Sequence, residues 1–336
     1  MAKLFGYILF VLMYSGGNLC CNSQVPQTQR EQERLILISK IELPGVKGRI
    51  DHMAYDPANH LAFMAALGNN TVEVVNISTN HLEHTITGLH EPQGVVYIPF
   101  SKKLIVANGD DGECIFFDGN TYNQLGIVHL KGDADNIRFD STSQLLYVGY
   151  GSGAIAIIDA NSMKLVGEMP LDGHPESFQL SKQQNKIYVN VPDADETEVA
   201  DLSTKTVIAK WQNKGASSNF PMALDEANNR LFIGYRSPAK LRVMNTRTGE
   251  NIFSIACSGD ADDIFYDMAD SLVFVSAGKG VIDVFRTSER ELRYINQVTT
   301  SSGARTSLLL NSEKKFLLAV PARGGNPAAL WIYKID

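Results

Sequence analysis

From Leu35 to Asp336 the chain is written in short apolar runs separated by turn-forming residues. Some runs alternate strictly between apolar and polar positions, as in TVEVVNI, AIAIID, KLRVMNT and VIDVFRT. Others, such as LIVAN, LLYVGY, KIYVNV and LVFVSA, are nearly continuous. A period of two marks a β-strand, and a short continuous apolar run between turns marks one buried on both faces. Helical heptads are absent, so the pattern predicts an all-β chain.

The runs recur in a fixed order. The phrase GDADNIRFD, from Gly132 to Asp140, returns as GDADDIFYD, from Gly259 to Asp267. Taking the residue near the end of each such phrase as a landmark gives Tyr55, Tyr97, Phe139, Leu180, Leu224, Tyr266 and Leu310, spaced by 42, 42, 41, 44, 42 and 44 residues. Each unit reads as four short antiparallel strands, which is one propeller blade. The seventh unit ends in ALWIYKID and lacks a fourth strand, while LILISKIEL, from Leu35 to Leu43, belongs to no unit. The two deficits cancel if strand 35–43 joins the last blade and closes the ring of a seven-bladed β-propeller over residues 35–336.

The strands LIVAN, LLYVGY and KIYVNV, each followed by a turn and a V-x-V or I-x-I-I-D strand, resemble YVTN-type repeats, and the arrangement is similar to the YncE-like seven-bladed propellers of bacterial envelopes. HPESFQL, NFPMALDEANNRLF and GARTSL carry the same resemblance. It implies an exported, periplasmic or extracellular protein. It implies no particular reaction, because a propeller hosts binding modules and enzymes alike.

In such a ring the loops before the first strands and the turns between second and third strands surround one mouth of the central channel. The loops bring Asp51, Gln93, Asp135, Glu176, Phe220, Asp262 and Thr306 to one level. The next residues are His52, Gly94, Asn136, Ser177, Pro221, Asp263 and Ser307, and Arg49, Glu91, Asp133, His174, Ser218, Asp260 and Ala304 stand two places earlier. A single Asp at a loop-to-strand junction ordinarily holds a turn by accepting backbone N–H bonds. A convergence of acids is different, because like charges around a narrow mouth call for a cation, a proton or Arg partners. Arg49, Arg305, Arg323 and Arg236 are predicted on the same face, either as an anion-recognising half of the mouth or as partners that neutralise the acids.

Composition narrows the partners. A formal charge of -7 and a pI near 5.5 disfavour nucleic acid as the main partner. Residues 1–22, with Lys3 before the apolar run Leu4 to Tyr14, read as a secretory signal, and 23–34 as a polar linker. Cys20 and Cys21 raise a lipid anchor as a minority reading, since Leu19 stands where a small residue belongs. Cys114 reads as a buried apolar residue, and no Cys114–Cys257 disulfide is expected. No C-x-x-C-H supports haem and no G-x-S-x-G supports a serine hydrolase; GYGSG is a hairpin turn and HLEH a surface strand. DADETEVAD, from Asp193 to Asp201, reads as a solvated acidic turn over a calcium loop.

Two functions remain. The leading expectation is a monomeric binding protein whose mouth takes a small molecule, a glycan or a partner protein. The other is a lactonase-like hydrolase with calcium or another divalent cation on Glu176, Asn219 and Asp262, and Asp135 or His174 as base.

Overall fold

The computed structural model describes residues 35–336 together with the first two residues. The predicted signal, linker and lipid-acceptor cysteines therefore lie outside the described residues, apart from the first two. Seven four-stranded antiparallel sheets follow one another along the chain. Blade one contains Met53–Asp56, Leu61–Ala66, Thr71–Asn76 and His81–Ile86, and the later blades repeat this order. Blade seven contains Ser307–Leu310, Lys315–Val320 and Ala328–Ile335, and its fourth strand is Leu35–Leu43. That strand runs antiparallel to Ala328–Ile335, from Leu35 opposite Ile335 to Leu43 opposite Ala328. The ring is closed by backbone hydrogen bonds.

Burial follows the apolar pattern. In Leu61–Ala66 all six residues are buried, because both faces of this second strand pack against neighbouring blades. In the outer strand Thr206–Gln212 exposed and half-buried residues alternate. Cores between blades are filled by rings such as Phe63, Phe232, Phe274 and Phe316, all fully buried. Cys114 is buried and Cys257 half-buried, and both are free thiols. Among the described residues no helix is long and apolar enough to cross a membrane.

The turn after each first strand has a common shape. In blade one the Asp56 carboxylate accepts from the Ala58 amide at 2.9 Å and the Asn59 side chain at 2.7 Å. Each such turn ends in a left-handed residue four places on: His60, Lys102, Gln144, Asn185, Asn229, Ser271 and Lys314. This landmark corrects the register of blade seven. Leu310 pairs with Lys315 as Asp56 pairs with Leu61, so Leu309, not Leu310, is equivalent to Tyr55. Ala319 donates to the Thr306 carbonyl at 2.9 Å, as Ala65 does to His52. Arg305 thus takes the level assigned above to Thr306, Thr306 that assigned to Ser307, and Gly303 that assigned to Ala304.

Candidate functional site at the channel mouth

Each first strand enters through an irregularity that sends two consecutive side chains to the mouth. Asp51 donates its N–H to Ala65 O at 2.7 Å while His52 accepts from Ala65 N at 3.0 Å, so two residues oppose one. Glu176 and Ser177 oppose Asn190 in the same way, both at 3.0 Å. The ladder also shifts between Ala134 and Ile137 and between Ala261 and Asp263. Bulges of this kind re-aim side chains where a site is built.

With the corrected register, the upper level is Asp51, Gln93, Asp135, Glu176, Phe220, Asp262 and Arg305. Of these, Asp51, Asp135, Glu176, Phe220 and Asp262 surround a cavity of about 20 Å3, with Arg49 at its rim and His52, Asn136 and Ser177 at its floor. That volume admits one group the size of a water molecule or an ammonium. The same three floor residues also line a larger cavity of about 440 Å3 further down the channel, so they form a partition between the two.

The arginines are paired with the acids. Arg49 bonds Asp51 and reaches Gln93 Oε1 at 3.2 Å, and Gln93 donates to Asp133 at 2.6 Å. Asp262 lies between Arg305 Nε, at 2.7 Å, and Arg236, while Arg305 Nη1 also bonds Asp260 at 2.8 Å. Arg236 lies over the Phe220 ring, 3.7 Å from its centroid. Of the two roles open to these side chains, the structure supports neutralisation. Arg323 donates to Ser302 Oγ at 2.7 Å and, together with Arg49 and Arg305, lines a neighbouring cavity of about 300 Å3 at the junction of blades seven and one.

Asp135 and Glu176 are treated differently. Among the described residues neither carboxylate takes part in a hydrogen bond or an ion pair within 4 Å. Burial pushes Asp135 well above the usual carboxylate range, and the neighbouring acids outweigh part of the relief His52 offers. Burial and then Asp262 push Glu176 up to about 7. In the partition, burial lifts Asp263 to about 7 although His52 and the Ser307 amide, at 2.7 Å, favour its charged form. Burial opposes a charged His52, yet Asp51, Asp263 and Asp135 outweigh it and raise its pKa; its ring nitrogens lie 3.6 Å from Asp51 and 3.7 Å from Asp263.

Two predicted site residues are placed elsewhere. Asn219 is fully buried, donating to Asn190 Oδ1 at 3.0 Å and Glu196 O at 2.8 Å and accepting from Asn213 at 2.7 Å. Its amide is committed to the strands of blades four and five and does not join Glu176 and Asp262 at the cavity. His174 holds Gly151 O at 2.6 Å and stands 4.0 Å from Asp133. Among the described residues, the one group of three whose ligand atoms lie within 4.8 Å of one another is Asp172, Glu196 and Glu198, on the outer part of blade four. Lys210 fills it, bonding Asp172 and standing 3.6 and 3.9 Å from the two glutamates. The sequence reading of DADETEVAD as a solvated acidic turn is thereby corrected: Glu196–Asp201 is a strand, and Glu196 and Glu198, alternating on one face of it, are buried. Sequence reasoning also passed over Arg138, which lines the channel cavity; an Arg between the apolar Ile137 and Phe139 was the available signal.

No protein-family model matches the chain. Solved structures do match its fold. A chain described as Kuenenia stuttgartiensis hydrazine synthase aligns over 88% of this chain and 99% of its own length, with 12% identity and a TM-score of 0.75. A chain from a mitotic checkpoint complex crystal structure aligns over 98% of each chain, with 11% identity and a TM-score of 0.75. At such identities the likeness establishes the class, a seven-bladed β-propeller, and nothing about ligand or reaction.

Proposed function

We propose that this is an exported binding protein of YncE-like type, and that its mouth takes the cationic tip of a ligand, an ammonium-sized group presented by a small molecule, a glycan or a partner protein. The observation that carries the reading is the contrast within the mouth. Arg49, Arg236 and Arg305 are already paired, whereas Asp135 and Glu176 meet at a cavity of about 20 Å3 without a hydrogen-bonding partner among the described residues. Two carboxylates held close in partial burial repel each other, and a cation entering between them relieves both. The cavity is too small for a phosphate or a sugar ring, so only the tip of a ligand enters it.

The test is a panel of putrescine, glucosamine and Nα-acetyl-lysinamide, each compared with its fully N-acetylated form by calorimetry. The amines bind and the acetylated forms do not; Glu176→Gln and Asp135→Asn each weaken the amines. Equal binding of amine and acetylated partner, or no effect of either substitution, refutes the reading. The hydrolase alternative needs metal ligands converging at the mouth, and the commitment of Asn219 to the blade interior weakens that triad.

A further inference from the structure

Below the partition, the channel cavity of about 440 Å3 lies within the ~300–1,000 Å3 range of small-molecule sites. One residue per blade stands at the same ladder rung along its wall. On blades three and four these are Arg138, opposite Tyr147, and Gln179, opposite Tyr188. On blades six and seven they are Phe265, opposite Phe274, and Leu308, opposite Leu317. In a ring of seven the two pairs face each other across the channel, and the remaining positions are Ala54, Val96 and Ala223. The channel therefore has one polar side and one apolar side.

Arg138 Nη1 donates to Asn136 Oδ1 at 3.2 Å and Ile137 O at 2.9 Å. A guanidinium has five N–H donors. Those on Nε and Nη2 have no hydrogen-bond partner among the described residues and no carboxylate lies within ion-pair distance, while the guanidinium lies over the Phe178 ring, 5.5 Å from its centroid. Gln179 donates to Met222 O at 3.1 Å, which leaves its second amide hydrogen and its Oε1 for a ligand. The Asp263 carboxyl lines the same cavity at the partition, but it already accepts from Ser307 N and faces His52.

The geometry points to a second binding site, in which Arg138 holds the carboxylate of a small monoanionic ligand whose apolar body packs against Phe265 and Leu308. A carboxylate suits the guanidinium fork in a plane. A single cation beside Asp263 does not balance a dianion, so phosphate is disfavoured. This site differs from the mouth in location, charge and ligand class, although His52, Asn136 and Ser177 border both.

The full chain is titrated with para-fluorobenzoate and, separately, with para-fluorobenzyl alcohol, observed by fluorine NMR and calorimetry. Benzoate binds, and the alcohol binds at least about tenfold more weakly because it offers no charge to the guanidinium. Arg138→Met weakens benzoate by about tenfold to a hundredfold, while Glu289→Gln, at an exposed turn of blade six, leaves it unchanged. If Arg138→Met does not fold, Phe265→Ala is read instead, with several-fold weaker benzoate binding. Equal affinity for acid and alcohol, no binding to the wild type at millimolar benzoate, or affinity that survives the substitution read overturns the proposal.

Discussion

Replacing Glu176 by Gln should stabilise this protein above neutral pH. Burial and the neighbouring Asp262 push the Glu176 carboxyl from 4.5 to about 7. In the unfolded chain it ionises near 4.5, whereas in the folded mouth it keeps its proton until about pH 7. The folded state thus binds the extra proton in between, and its stability falls as pH climbs through that window and stays lower above it. At about 1.4 kcal/mol per pH unit, the full difference corresponds to about 3–4 kcal/mol. Glu176 is half-buried and shares its repulsion with Asp262 and Asp135, so about 1–2 kcal/mol is expected from this residue alone. A neutral isostere removes that penalty. The melting temperature of Glu176→Gln should rise by about 2–5 °C at pH 8 and by almost nothing at pH 4. Thermal melts of both proteins across that range decide the point. An unchanged or lower melting temperature at pH 8, or the same rise at both ends, refutes the electrostatic account of the mouth.

Deleting residues 35–43 removes the fourth strand of blade seven and bares the edge of Ala328–Ile335; the truncated protein should melt well below the parent and aggregate on heating, as light scattering during the melt will report. Arg305→Ala takes away one of the two arginines that hold Asp262 and should cost about 1–3 kcal/mol by denaturant unfolding. The loss should shrink in an Asp262→Asn background, and an undiminished loss there means that the pairing is not what stabilises the mouth.

The fold was legible because period and burial agree. A second strand sealed between blades has to be apolar on both faces, so LLYVGY and LVFVSA announce themselves, and the closing strand follows from counting the ends. The register of blade seven was not legible: its first strand, Ser307–Leu310, is SLLL, and three consecutive leucines offer no aromatic landmark. The left-handed residue Lys314 fixes it only in three dimensions. That one-place shift matters, since it moves Arg305 into the ring of acids.

At the mouth, local spacing found the acids but not their partners. Arg305 and Asp260 are 45 positions apart, and Arg236 and Asp262 are 26; which carboxylates remain unpaired is decided by side-chain reach across blades. Asn219 shows the converse. Its neighbours in sequence suggest a ligand, yet the bulge turns Phe220 to the cavity and Asn219 into the blade interior.

On the proposed function, Asp135 and Glu176 await a cation. Calorimetric titration of Nα-acetyl-lysinamide at pH 5.5 and pH 8 tests it most directly, because the probe's ammonium, with a pKa of about 10.4, stays charged throughout. Binding should tighten about tenfold or more at pH 8 as the carboxyls ionise. An affinity that is equal at the two pH values, or stronger at pH 5.5, contradicts it.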